Sequence, residues 1–157
     1  MVEPARTRDA DDGTQSVNDL EYKPGYDDRW AVLIGINRYL HHNKLLFAAA
    51  DAVAMARTLI EQFRFPTGNV FLVVNDIASL PDDLATWLAG VRPKLWISEQ
   101  ATQAVIKKLL ITELPGKPRR DDCVLIYFAG HGRSRRGSVN PKPFLIPEDA
   151  ASGAWDE

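Results

Sequence analysis

The sequence predicts an α/β protein, a mostly parallel, doubly wound sheet flanked by helices in three layers. Two observations predict it. Three short apolar runs, Trp30–Ile36, Asn69–Asn75 and Cys123–Ala129, are rich in β-branched and aromatic residues. They lack the alternation of a half-buried strand, so each suggests a strand covered on both faces. Helical patterns separate the runs, and strands separated by helices are joined by crossovers into a parallel sheet.

Residues 1–28 read as a polar tail. Eight acids (Glu3, Asp9, Asp11, Asp12, Asp19, Glu21, Asp27, Asp28) face Arg6, Arg8 and Lys23, with few large apolar residues between them. Such a segment buries too little to offset its ordering entropy and is expected to be disordered. The stretch Leu20–Tyr26 has enough apolar surface to lie along the domain as an arm. Residues 29–157 form the domain. Its opening strand is Trp30–Ile36, and 37–44 (NRYLHHNK) is a loop. A helix is expected over 45–64, where Leu46, Ala49, Ala50, Val53, Ala56, Ile60 and Phe63 recur at three- and four-residue steps. Pro66 and Gly68 end it.

The second strand, 69–75, follows. Leu80-Pro81-Asp82-Asp83 starts a helix with Leu84, Trp87 and Leu88 on one face, and Pro93 breaks it. A further helix is expected from Ala101 to Leu114 with Val105, Leu109 and Leu110 as its stripe. After the loop 115–118 comes the third strand, Cys123–Ala129. Gly130-His131-Gly132 follows it at once. Then come a basic loop (Arg133, Arg135, Arg136, Lys142) and a short strand, Phe144–Ile146.

Composition bounds the function. A chain of 157 residues has the length of one domain, and 45% hydrophobic with 25% charged residues excludes wholesale disorder, collagen and coiled coil. One cysteine excludes an intramolecular disulfide framework and a Cys-rich zinc site. A net charge of -2 gives no global attraction to nucleic acid, so no nucleic-acid partner is expected. No segment reaches the apolar length of a membrane span, so no membrane is expected either. The N-terminus lacks an apolar h-region, and with a lone cysteine this fits a reducing, cytoplasmic setting. His41-His42 has no third ligand nearby in sequence and reads as a solvated loop pair, so no metal is assigned. Gly130-x-Gly132 is not a dinucleotide fingerprint and no P-loop is present; no cofactor is expected.

The segment Ala129-Gly130-His131-Gly132 carries the chemistry. In open parallel sheets, functional groups collect beyond the carboxyl ends of strands. A histidine leaving a buried strand is rigidly held yet projects into the cleft, and imidazole titrates near neutrality. Flanking glycines permit unusual backbone angles and close approach of a substrate. The Gly132 N–H is suited to meet a developing oxyanion. Alternatively this is a tight turn with His131 merely solvated.

Three stretches resemble the caspase-like cysteine peptidases, including metacaspases. They are WAVLIGIN at 30–37, Asp51-Ala52 in the helix leading to Phe65-Pro66, and DCVLIYFAGHG at 122–132 followed by FLIPEDA at 144–150. The likeness covers roughly residues 30 to 157. It implies a Cys–His dyad: a thiolate attacks the scissile carbonyl, a thioester forms, and water hydrolyses it. His131 matches the family's catalytic histidine and Gly132 its backbone oxyanion donor. The family's nucleophile lies on the next core strand, in a segment like D-x-C-x-x-G. Here eight residues follow Asp149, so that strand is expected to be missing and the fold incomplete at its C-terminus. Cys123 is a poor substitute. It lies eight residues before His131 on one strand, about 26 Å away if extended, and so reads as structural.

The arginine that many relatives carry just before the position matching Asp51 is absent from Leu45–Ala50. The charge preference of the family is therefore not carried over. Asp51 itself is a substrate-cleft candidate or a helix-surface residue. The resemblance implies a protein or peptide substrate, and an enzyme domain inactive alone, completed by a C-terminal segment or another caspase-like chain. The alternative is a non-catalytic caspase-homology module that binds or regulates a relative. The basic loop reads as a solvated loop beside the cleft, or as a contact for an acidic partner.

Overall fold

The computed structural model describes residues 25–134 and 143–151. Residues 1–24 of the polar tail, Arg135, Arg136 and Lys142 of the basic loop, and 152–157 lie outside the described residues.

Four strands form one parallel sheet: β1 (Arg29–Gly35), β2 (Val70–Val74), β3 (Trp96–Ser98) and β4 (Cys123–Ala129). Their spatial order is β3-β2-β1-β4. The chain builds outward from β1 to β3, then crosses back to lay β4 on the other side of β1. The connection after β1 leads to β2, away from β4, so β1 and β4 meet where the strand order reverses, the place at which open parallel sheets form a crevice. A small antiparallel pair, β5 (Gly132–Ser134) and β6 (Pro143–Leu145), follows β4.

Alternate side chains of β1 and β2 feed two cores. Ala31, Leu33, Val70, Leu72 and Val74 face α1 (Ala48–Glu61) and α2 (Asp82–Val91). Val32, Ile34, Phe71 and Val73 face the other layer, around Ala101, Leu109 and Leu114. β1 and β2 are thus apolar on both faces because helices cover both. The layered α/β architecture read from the sequence is the one observed.

Several local expectations need correction. α1 runs from 48 to 61 rather than from 45 to 64, and its buried face is Ala48, Ala49, Ala52, Val53, Ala56 and Leu59. Leu46 and Phe63, counted in its apolar periodicity, lie outside the helix and are 65% and 56% exposed. The cause is close packing on Gly35: a Cβ there would lie 2.3 Å from the Ala48 carbonyl oxygen and 2.7 Å from the Ala52 Cβ. Only a face of small residues can approach β1 that closely. The helix expected over 101–114 is α3 (Gln103–Lys108) continuing into a π-helical turn, Leu109–Glu113. The Thr102 hydroxyl starts it by accepting from the Val105 N–H at 3.3 Å. β3 was not expected at all. At three half-buried residues it is too short to show a period, and it forms because β2 offers an edge. β5 lies where a basic loop was expected.

Among the described residues β4 is an edge strand: it bonds to β1 over seven register pairs, Arg29↔Cys123 to Gly35↔Ala129. Val124 and Ile126 are exposed on it. An apolar hollow of about 200 Å³ lies alongside, between Ile106 and Leu110 of the α3 layer and Ile126, Phe128 and Leu145.

Candidate functional site

The site forms at the carboxyl ends of β1 and β4. β4 ends at Ala129, and the Ala129 carbonyl accepts from the Ile36 N–H at 3.0 Å. His131 therefore emerges beside the loop after β1. Its ring Nε2 lies 2.8 Å from the Asn43 carbonyl oxygen. A carbonyl only accepts, so Nε2 carries the hydrogen, and in the neutral form of the ring the basic lone pair is then on Nδ1. The His131 backbone N–H donates to the Tyr39 hydroxyl at 2.8 Å. The Tyr39 and His131 rings lie 4.7 Å apart, and His42 meets Tyr39 edge-on at 6.0 Å. Burial pushes the Tyr39 phenol above its ordinary value, against a smaller opposing effect of the His131 N–H. The hydroxyl thus accepts as a neutral phenol.

Gly132 opens β5, facing Leu145. The Ile146 N–H bonds to the His131 carbonyl at 3.0 Å, one residue to the side of that pair. In an antiparallel ladder, this offset marks a facing pair that does not bond to itself. The Gly132 N–H is consequently turned away from β6 and toward the open side. The expected reason for the two glycines is only half right. Neither has a left-handed backbone. A Cβ on Gly132 would meet the Phe144 carbonyl oxygen at an ordinary 3.6 Å. A Cβ on Gly130 would stand 2.6 Å from the Tyr39 hydroxyl and 2.9 Å from the Phe128 ring. Close approach matters at Gly130, and the approaching group is Tyr39.

Two buried amides hold the surrounding loops. β1 and β2 each run on into an asparagine, Asn37 and Asn75. The Asn75 Oδ1 accepts from the N–H groups of Asn37 and Arg38 at 2.8 and 3.1 Å. Its Nδ2 donates to the Arg38 carbonyl at 2.7 Å and to Glu148 Oε2 at 2.6 Å. The Asn37 Oδ1 accepts from the Ala49 N–H at 3.1 Å, and its Nδ2 donates to the Leu46 carbonyl and the Ser79 hydroxyl. Buried polar groups this well satisfied fix a backbone in one shape. Asp76, at φ 69°, adds an ion pair to Lys44 at 2.9 Å, with Arg38 at 3.8 Å. Lys44 first, then Ser79 and Arg38, hold its carboxyl below the usual range despite partial burial. A cavity of about 570 Å³ opens here among Arg38, Tyr39, His42, Lys44, Glu99 and Glu148.

His131 and Gly132 follow β4 directly and are not among the residues that line this cavity, which they neighbour through Tyr39. Asp51 sits exposed in the first turn of α1. Burial raises the pKa of Tyr127 on β4, and the charge of Asp51 raises it further. Cys123 opens the opposite end of β4, about 20 Å along the strand from Ala129. His42 is not a solvated loop residue: its ring packs on Tyr39 and its Nε2 is buried. Among the described residues no cluster of His, Cys, Asp or Glu could hold a metal ion. Tyr39, Asn43, Asn37, Asn75 and Glu148 were not singled out from the sequence. One signal was available, since both apolar runs lead straight into an asparagine, Asn37 and Asn75.

A family described as the caspase domain matches residues 28–153. A curated relative, sodium-dependent low-affinity dicarboxylate transporter 1 of Caenorhabditis elegans, is 29% identical over 116 residues. That match covers 71% of this chain and 19% of the relative's length. Among the described residues no helix is long and apolar enough to cross a membrane.

Proposed function

This chain belongs to the caspase domain family, and on that premise we propose that it is the histidine-bearing part of a cysteine-type endopeptidase domain. His131 is the general base and Gly132 the backbone oxyanion donor. The observation that carries this is the paired orientation of the two. Nε2 is tied to the Asn43 carbonyl, leaving Nδ1 to take a proton, while the Gly132 N–H faces away from β6.

In this reading a thiol gives its proton to His131 Nδ1. The thiolate attacks the scissile carbonyl, and the oxygen of the tetrahedral intermediate receives the Gly132 N–H. His131 then protonates the leaving amine, and the same ring activates the water that cleaves the thioester. The substrate is a protein or peptide, and the setting is reducing, as a free thiol requires.

The nucleophile comes from outside these 157 residues. The one cysteine is Cys123, at the far end of β4. The open edge of β4 is where a strand carrying that thiol would add, from a further segment or another caspase-like chain. The same open edge supports a second reading, a non-catalytic module that pairs with a relative.

The 157-residue chain is expected to show no peptide turnover. Cleavage of a peptide library lost in both His131→Ala and Cys123→Ser would overturn that. An extended form encoding an apolar strand and a D-x-C-x-x-G-like segment is expected to cleave peptides. Failure of that form to cleave would favour the module.

A further inference from the structure

We propose that Tyr39 is the positioning residue of this site: its hydroxyl fixes the peptide on which His131 is mounted and so the direction in which the imidazole leaves β4. The inference rests on the reading of His131 as base and Gly132 as oxyanion donor.

Three independent contacts converge on Tyr39. Its hydroxyl accepts the His131 N–H at 2.8 Å. Its ring lies 4.7 Å from the imidazole, tilted by 50°. The residue before His131 is glycine, and a Cβ there would collide with this hydroxyl at 2.6 Å. The Tyr39 backbone is itself pinned from both sides. Arg38 before it bonds through both its N–H and its carbonyl to Asn75. Leu40 after it donates to the Glu148 carbonyl at 2.8 Å. Glu148 also takes the Asn75 amide on its side chain and donates its N–H to the Ala101 carbonyl. The phenol is thus a fixed post, referenced to β2 and to the segment before α3.

In a regular antiparallel ladder, the His131 N–H would bond across to β6, as the Ile146 N–H bonds to the His131 carbonyl. Tyr39 takes that N–H instead. The ladder is interrupted at His131: the phenol fixes the Gly130–His131 peptide, while the Ile146 N–H fixes the His131–Gly132 peptide through its carbonyl. Packing alone would be served equally by phenylalanine. A hydroxyl bonded to the backbone of the base is a different device, because it fixes the peptide from which the imidazole departs.

The test is amide hydrogen exchange by NMR on the 157-residue chain, with Leu33 in β1 as internal reference. In Tyr39→Phe, exchange at His131 is expected to be roughly five- to tenfold faster relative to Leu33, the factor one neutral hydrogen bond is worth. The His131 ring resonances should shift with it. Gly130→Ala should produce the same pair of changes by pushing on the hydroxyl. In the Tyr39→Phe background, Gly130→Ala should add less than it does alone, because its main obstacle is gone. Unchanged exchange at His131, a uniform acceleration of all amides, or strict additivity of the two substitutions overturns the proposal. The functional reading fails separately. A thiol-bearing extended form whose rate ignores His131→Ala sinks it, whatever the exchange data show.

Discussion

At its amino end β4 opens with Cys123, whose N–H goes to the Asp28 carbonyl at 2.8 Å. Next to it, Asp122 accepts from the N–H groups of Arg119 and Asp28 and from the Trp30 indole. The Arg119 N–H, with these others, holds its carboxyl below the usual range. At the carboxyl end β4 releases His131 among loops held by Asn37 and Asn75, both almost fully buried. One end is closed by a carboxylate at the surface, the other by amides inside the fold. A surface carboxylate can be replaced by water, whereas a buried amide cannot. The molecule commits its costliest polar groups to the end that carries His131, and a single strand keeps Cys123 away from it.

The sharpest way to break this contrast is mutation at both ends of β4 in a thiol-bearing extended form. His131→Ala is expected to cost on the order of 10²–10⁴ in rate. Cys123→Ser should leave the rate nearly unchanged. A large loss from Cys123→Ser would reverse the assignment of the two ends.

Stability should show the same asymmetry. Asn75→Ala leaves the Asn37 and Arg38 N–H groups and the Arg38 carbonyl without their partner, and should cost about 2–4 kcal/mol in chemical denaturation. Asp122→Ala should cost less, because water reaches its donors. Equal losses would remove the distinction between the ends.

The glycines sharpen the comparison further. Gly35→Ala drives a methyl into the Ala48 backbone and should cost about 1–3 kcal/mol through overpacking. Gly132→Ala meets an ordinary contact and should leave thermal unfolding nearly unchanged. A smaller effect concerns the β4 edge. Ile126→Lys should reduce self-association of the chain in sedimentation, because an exposed apolar edge strand recruits other chains. A monomer at all concentrations before mutation would count against an available edge.

The smallest effect is pH-dependent. The Asp76 carboxyl is depressed by Lys44, so its contribution is present above the ordinary carboxylate pKa and is lost as pH falls through the folded value. Asn also tolerates the left-handed backbone at 76, so Asp76→Asn isolates the charge. The advantage of wild type over Asp76→Asn should be full at neutral pH and vanish in acid. A difference that persists in acid would place the effect elsewhere.

Much of the architecture was legible because it is dictated by continuous apolar runs. β2 and β4 stand where NVFLVVN and CVLIYFA predicted strands, and α2 begins after Pro81. What escaped has physical reasons. The face of α1 is chosen by contact with Gly35, which no periodicity reveals. β3 needs a partner edge to exist. The strand order that brings Tyr39 beside His131 is a long-range property, since the two are 92 residues apart. Buried asparagines look like loop residues until strands and loops enclose them.

The proposed role of His131 requires a ring held in one orientation. Nitrogen-15 NMR of its ring in the 157-residue chain tests this most directly. In its neutral form the ring is expected as a single tautomer with hydrogen on Nε2, donated to the Asn43 carbonyl. A ring with hydrogen on Nδ1, or an even mixture of tautomers, would contradict it.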